Sequence, residues 1–332
     1  MLSRHGGMEK YGIFVRQKNI KVSNSIMEEK KEMDEGLFKS RSYLSCLNEG
    51  LKLPTRHILS LLRFLYPSLI AGAVVMGLWG VCFNQITVAL TRWMAASEPV
   101  VLSFPILSVL SLLADSFYMG NVMTAVSRFA TSGAWPALRF GEAKREIFNA
   151  SLRALTCTLV AVVVFSLLIV PVTLWLGAGN VWVTVVSYVL LLALGVPYCM
   201  VIMDYMLGER RDFWCSLKRM KDGYQYWGAF FIILFCGGLI MGVLAAVSWL
   251  PAGILAYAGH ASLMGVLEGD ATDLPSYVPA LVVFFFMLAS VIANVFSWLT
   301  LFPLSYLYGS VEARKQEKAS FEEEERRLQG LQ

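Results

Sequence analysis

Asp115 and Asp204 stand inside long apolar stretches of this chain, and an ionisable side chain at such a depth is costly unless something employs it. Three kinds of chemistry fit them. They can pair with a nearby base, for which Arg128, Arg145 and Arg210 of the basic loops are candidates. They can line a polar vestibule for a solute, or they can carry protons. A shared pattern favours pairing, because Gly120 follows Asp115 by five residues and Gly208 follows Asp204 by four. If those glycines mark one boundary, both carboxylates lie about one helical turn from it, within reach of loop bases.

The remaining polar residues of the apolar stretches read more simply. Asn84, Gln85 and Asn294 can hydrogen-bond between helices, a contribution of about 0.6–2 kcal/mol each in a membrane. Gly238-Leu239-Ile240-Met241-Gly242 permits close helix approach and predicts an interface, either within the chain or between copies in a homo- or hetero-oligomer. His260, Glu268, Asp270 and Asp273 gather between residues 259 and 276 at a spacing that fits no calcium or zinc loop. No nucleophile elbow, metalloprotease helix, phosphate-binding loop or dinucleotide fingerprint occurs. The Glu323 to Arg327 pattern falls in a charged tail, so it reads as i,i+4 pairing on a solvated helix. Cys46, Cys82, Cys157, Cys199, Cys215 and Cys236 form no C-x-x-C pair and read as packing residues. No catalytic residue, metal or cofactor is assigned.

The elements that must position these residues follow from composition. Of 332 residues, 57% are hydrophobic and 16% charged, against roughly 25% charged in soluble domains. Apolar runs long enough to cross about 30 Å of hydrocarbon occur at about 64–90, 100–120, 154–177, 181–207, 227–258 and 277–308. They do not alternate in polarity as barrel strands would, which predicts an all-α, polytopic membrane protein with six transmembrane helices.

Charge sets the orientation. Of the 28 Lys and Arg residues, 12 precede the first run, 5 lie in 121–153, 5 in 208–226 and 5 after residue 308. Only Arg92 lies in the alternate segments. The positive-inside rule then predicts both termini in the cytoplasm. A net charge of +4, distributed in this way, implies membrane lipids as partners and no nucleic acid. Residues 1–36 read as a disordered cytoplasmic segment with Met1 or Met27 as start, 37–310 as the membrane domain and 311–332 as a charged cytoplasmic tail helix. No apolar signal region precedes residue 58, so the first span is expected to direct insertion.

Two sequence marks alternate three times. Before each odd-numbered span stands an aromatic, two variable residues, Ser or Cys, and Leu: Tyr43–Leu47, Phe148–Leu152 and Phe213–Leu217. At the end of each even-numbered span stands Ser or Asp, an aromatic, two residues and Gly: Ser116–Gly120, Asp204–Gly208 and Ser305–Gly309. The unit is a pre-span segment followed by a hairpin of two spans. The pre-span segments are amphipathic, and two readings fit them: helices lying in the headgroup layer, or cytoplasmic extensions of the spans. In either case Arg56, Arg63, Lys218, Arg219 and Lys221 are expected to contact anionic lipid.

On the three pre-span marks, the chain resembles over about 40–310 a group of bacterial polytopic families built from interfacial helices and span hairpins. Among them is the membrane domain found beside some glycerophosphodiester phosphodiesterases. The resemblance implies a multi-pass protein of the bacterial inner membrane and brings no catalytic residue. The expected function is a lipid-interacting protein that organises or scaffolds the membrane. The alternative is a small-solute or lipid transporter with a cavity between repeats, entered past Asp115 and Asp204.

Overall fold

The computed structural model describes residues 36–91, 98–132, 139–177, 180–269, 275 and 277–329. Among these residues the chain is helical throughout, without strands. Six stretches are long and apolar enough to cross a membrane: Ile58–Phe83, Leu102–Ser132, Phe140–Leu176, Val181–Leu207, Trp227–Val266 and Val278–Gln329.

The helices are α1 (Tyr43–Arg56), α2 (Ile58–Thr91), α3 (Glu98–Ser132), α4 (Phe140–Leu176), α5 (Val181–Leu190), α6 (Val196–Leu207), α7 (Phe213–Lys218), α8 (Met220–Gln225), α9 (Trp227–Leu267), α10 (Val278–Phe296) and α11 (Trp298–Gln329). α2 packs between α3 and α10, α4 lies on α3, and α9 sits against α10 and α11. α1 runs along α11, and α8 is held against α6.

The second pre-span mark, Phe148–Leu152, is part of α4, so there the segment is an extension of the span. The first and third are separate short helices, because α1 stops at His57 and α7 and α8 part at Arg219. Hydropathy placed the first and third spans at 64 and 154, yet their helices start at Ile58 and Phe140. Backbone hydrogen bonding continues across the polar boundary that hydropathy reads as an end.

The sixth run is not one helix. It breaks at Ser297, whose hydroxyl donates to the Asn294 carbonyl at 2.7 Å, while Tyr118 Oη donates to the same carbonyl. Asn294 thus meets its neighbour through its backbone. α11 then continues without interruption to Gln329, so the charged tail is helical and runs on from the last span.

Prolines are handled differently in each even span. Pro105 and Pro303 sit inside α3 and α11. Pro197 follows one turn of π-helix, Leu191–Gly195, at the start of α6. A π turn leaves carbonyls without their usual donors, and the Trp227 indole supplies one to Leu192 at 3.0 Å.

The main core lies at the end of the bundle that carries α1, α7 and α8, called the basic end below. Phe64, Leu65, Phe129, Met200, Met203, Phe230, Phe302 and Tyr306 are buried there. A smaller cluster, Ala252, Val278, Val282 and Phe286, joins α9 to α10 elsewhere. By contrast, none of the most apolar window of α4 is buried, and Trp175 is 85% exposed. Such surface is compatible with acyl chains, which are as apolar as the side chains themselves.

Each pre-span segment meets the end of the preceding even span, the first segment meeting the last span. The Cys46 thiol donates to the Tyr306 carbonyl at 3.7 Å, and Ser216 Oγ donates to Asp204 at 2.7 Å. Ser151 sits against Gly120, where a Cβ would come within 2.5 Å of the Ser151 nitrogen. Gly50 is pressed on α11 in the same way, since a Cβ there would lie 2.5 Å from Pro303 Cα.

Candidate functional site

Charged side chains converge at two places on the basic end. The first lies where α6, the α7–α8 corner and α11 meet. Asp212 caps α7 by accepting from the Trp214 amide at 3.4 Å, and the helix ends one and a half turns later at Arg219. That corner turns the Arg219 guanidinium onto three carboxylates. Nη1 donates to Asp204 at 3.0 Å, Nε donates to Asp222 at 3.0 Å, and Nη2 donates to Glu312. Lys315 Nζ donates to Asp222. Asp204 is completed by Ser216 at 2.7 Å and the Tyr308 hydroxyl at 3.0 Å.

Two cations therefore serve three carboxylates in a region where Asp204 is 12% and Arg219 27% exposed. Burial by itself would lower the Arg219 pKa, but Glu312 and Asp204 outweigh it and hold the guanidinium above its ordinary value. The arrangement ties the end of the fourth span, the third pre-span segment and the final helix together. Each of the three guanidinium nitrogens of Arg219, a residue expected from sequence to contact lipid, donates to a carboxylate within the chain.

The expected partners of Asp204 are corrected. Arg128 is engaged by Glu146, Nε to Oε2 at 2.8 Å and Nη2 to Oε1 at 3.2 Å. Arg210 is exposed and Arg145 lies on the exposed side of α4. Asp115 is exposed on α3, flanked by the buried Ala114 and Ser116, and makes no hydrogen bond or ion pair among the described residues. Asp204, expected with Asp115 to line a polar vestibule, is occupied by Arg219, Ser216 and Tyr308. The two aspartates occupy similar positions along their helices, but the helices turn them toward different surroundings.

The second place is a cavity of about 230 Å³ between the end of α3, the first turns of α4 and the α6–α7 link. Thr124, Ser127, Arg128, Glu146, Arg153 and Arg211 supply its polar lining, and Met123, Ala150 and Met206 its apolar one. Arg153 Nη1 reaches the Met206 and Tyr205 carbonyls at 3.4 and 3.5 Å, at the C-terminal end of α6. Arg211 adopts a φ of 50°, a left-handed conformation unusual for a residue with a side chain.

The other sequence candidates are spread apart. Lys218, Lys221, Arg56 and Arg63 are exposed. Among the described residues, nothing lies within 4 Å of where a Cβ would stand on Gly238 or Gly242, and the close approach occurs at the adjacent Gly237, against Leu299 and Thr300. His260 lies in α9 and Glu268 caps it. Arg92, Asp270, Asp273 and the side chains of Asn84 and Gln85 lie outside the described part. Tyr308, Glu312 and Lys315 were not singled out from sequence, nor was the grouping of Arg128, Glu146, Arg153 and Arg211. Their only signal was membership in the basic segments and in the third Gly-ended mark.

Comparison with protein-family models, curated proteins and solved structures returned no match for the chain.

Proposed function

We propose that the chain is a non-enzymatic, multi-pass membrane protein whose basic end faces the cytoplasm and engages anionic lipid, so that it organises or scaffolds the membrane around it. Its six spans form three hairpin repeats. The repeat is supported by the equivalent Cys46, Ser151 and Ser216, each of which meets the end of an even span. The orientation is supported by the bias of Lys and Arg. The setting that the family resemblance implies is a bacterial inner membrane.

The observation that carries the lipid reading is the outer surface of the pre-span segments. Leu44 and Trp214 are 81% and 72% exposed, and Leu59 is exposed at the start of α2. Arg56, Arg63, Lys218 and Lys221 are exposed on the same segments. Apolar side chains beside lysine and arginine, at the edge of a membrane-spanning bundle, suit the headgroup layer, where each base near an anionic surface contributes about 1 kcal/mol.

The test is native mass spectrometry of the protein extracted from mixed anionic and zwitterionic bilayers. Anionic lipid should be retained preferentially, and reversing Arg56, Arg63, Lys218 and Lys221 together to Glu should abolish the preference. Equal retention in wild type and variant would sink the reading. Orientation is tested separately by cysteines placed at 95, 179 and 265 in a cysteine-free background, which should react with an impermeant reagent added to intact cells. The lipid-organising reading is preferred to a transporter entered past Asp115 and Asp204 because Asp204 accepts from Arg219, Ser216 and Tyr308.

A further inference from the structure

We propose that the cavity between α3, α4 and the α6–α7 link is a binding site for a phosphoryl anion, held by Arg153 and Arg211 with the Ser127 hydroxyl. The proposal deepens the lipid reading above and rests on it only for placing this end of the bundle at a headgroup layer.

Charge selects the ligand's sign. Three guanidinium groups and one carboxylate line the cavity. Glu146 grips Arg128 through both oxygens and neutralises it, so Arg153 and Arg211 are left as unbalanced cations. Both of Arg153's hydrogen bonds leave from Nη1 and are long, so most of its five donors remain for another acceptor. Arg211 makes no hydrogen bond or ion pair among the described residues, and neither does the Ser127 hydroxyl. Thr124 and Thr131 donate to backbone carbonyls of their own helix, which leaves Ser127 as the free hydroxyl donor.

Like charges brought to one cavity repel, and an anion between them removes that cost. Tetrahedral oxyanions accept several donors at once, which suits two guanidinium forks better than a halide would. The backbone of Arg211 supports the same assignment. A φ of 50° is strained for a side-chain-bearing residue, and such strain persists where a particular side-chain placement is held.

Size and setting narrow the ligand. At about 230 Å³ the cavity falls below the roughly 300–1,000 Å³ that enclose drug-sized ligands, so it fits a phosphate with a small substituent and not a nucleotide. Met123, Ala150 and Met206 offer apolar wall beside the cations. Phe148 and Leu152, on the same turns of α4, are exposed, and a predominantly apolar stretch begins just after Arg153. This is the level at which the phosphate of a phospholipid meets its first methylenes. A lipid headgroup and a free phosphoryl anion present the same chemistry to these residues.

The experiment is thermal unfolding of the delipidated full chain in neutral detergent, titrated with phosphatidylglycerol, with inorganic phosphate, or with phosphatidylcholine as the zwitterionic control, at constant ionic strength. A saturable rise in melting temperature with phosphatidylglycerol alone assigns the site to a lipid headgroup. An equal rise with inorganic phosphate assigns it to free phosphoryl anions. Arg153→Gln and Arg211→Gly should each weaken the half-saturation point about tenfold or more, the loss of one charge-assisted hydrogen bond or more. Arg211→Gly should also raise the melting temperature without ligand, because glycine adopts a positive φ freely, so a folding defect cannot be mistaken for lost binding. No saturable response, a response to phosphatidylcholine as strong as to phosphatidylglycerol, or unchanged affinity in both variants overturns the proposal. The Glu substitutions at Arg56, Arg63, Lys218 and Lys221 should leave this saturable binding in place, which separates its failure from failure of the surface-lipid reading.

Discussion

Arg219 donates to Asp204 across 3.0 Å, joining the corner of a short pre-span hairpin to the end of the fourth span. Asp204 lies on an apolar helix and Arg219 on a basic segment. Read separately, the first resembles a functional intramembrane acid and the second a lipid contact. Joined, they form the centre of a charge cluster that holds three elements together.

The two members of that pair should not be equally important. Arg219→Gln leaves Asp204, Asp222 and Glu312 with only Lys315 beside them, whereas Asp204→Asn leaves Arg219 with two carboxylates. Removing one partner of a buried pair costs about 3–5 kcal/mol, and the partial exposure here places Arg219→Gln near the lower end, about 3 kcal/mol. Asp204→Asn should cost about 1–2 kcal/mol, within the range for losing hydrogen bonds to a charged group. Unfolding in detergent measures both, and a larger loss for Asp204→Asn would contradict the arrangement.

Glycines provide a second contrast. Gly50→Leu drives side-chain atoms into the backbone of Pro303, so α1 must separate from α11, and the cost should reach about 3 kcal/mol. Gly238→Leu meets open space in the chain and should leave the stability of the monomer unchanged. If Gly238 and Gly242 join copies, cross-linking yield will fall in that variant. Equal destabilisation by the two substitutions would be incompatible with the packing.

Asn121 is fully buried on α3, and neither amide atom has a partner among the described residues. A polar group in that state opposes folding by about 1–3 kcal/mol, so Asn121→Leu should leave the melting temperature unchanged or raise it. A drop equivalent to more than about 1 kcal/mol would mean that the amide is satisfied by bound water or ligand, and not idle.

Cys46 should be slow to alkylate in the folded protein. Burial is the main reason its thiol lies above the ordinary value, while Ser310, Arg41 and Arg314 oppose the shift. The thiolate is the reactive form, so labelling near neutral pH should lag behind that of the half-buried Cys215. A group raised on folding contributes its stability in full below its unfolded pKa and loses it as pH rises through the folded value. Any destabilisation from Cys46 should therefore appear only in the alkaline range, and it should disappear in Cys46→Ala. Rapid labelling at neutral pH would refute the buried assignment.

How far the sequence led can be judged from particular residues. The apolar runs around Leu159–Val172 and Leu281–Val295 were legible because an apolar stretch of that length has few alternatives to a helix that meets lipid. Helix ends were less legible, as at Phe140 and Gln329, where backbone bonding continues through charged residues. Of the candidate site residues, Arg56, Arg63, Lys218 and Lys221 stand exposed as amphipathicity implied, while Arg219 does not belong with them. Nothing in the sequence told Arg219 from Lys218, since one residue of rotation on a short helix decides whether a base faces Glu312 or open surface.

By itself, then, the sequence determined the solvent of this protein, the number of its long apolar runs and the marks that punctuate them. These are local quantities, set by transfer free energy and by the need to satisfy every backbone group in lipid. The tertiary structure alone decided which charges meet: Asp204 with Arg219, and Arg128 with Glu146. Those pairings depend on helix rotation and, for Arg128 with Glu146, on the approach of α3 to α4 permitted by Gly120. A Coulombic contact of 3 Å is a property of distance in space, and residues from separate helices acquire it only once the helices have packed.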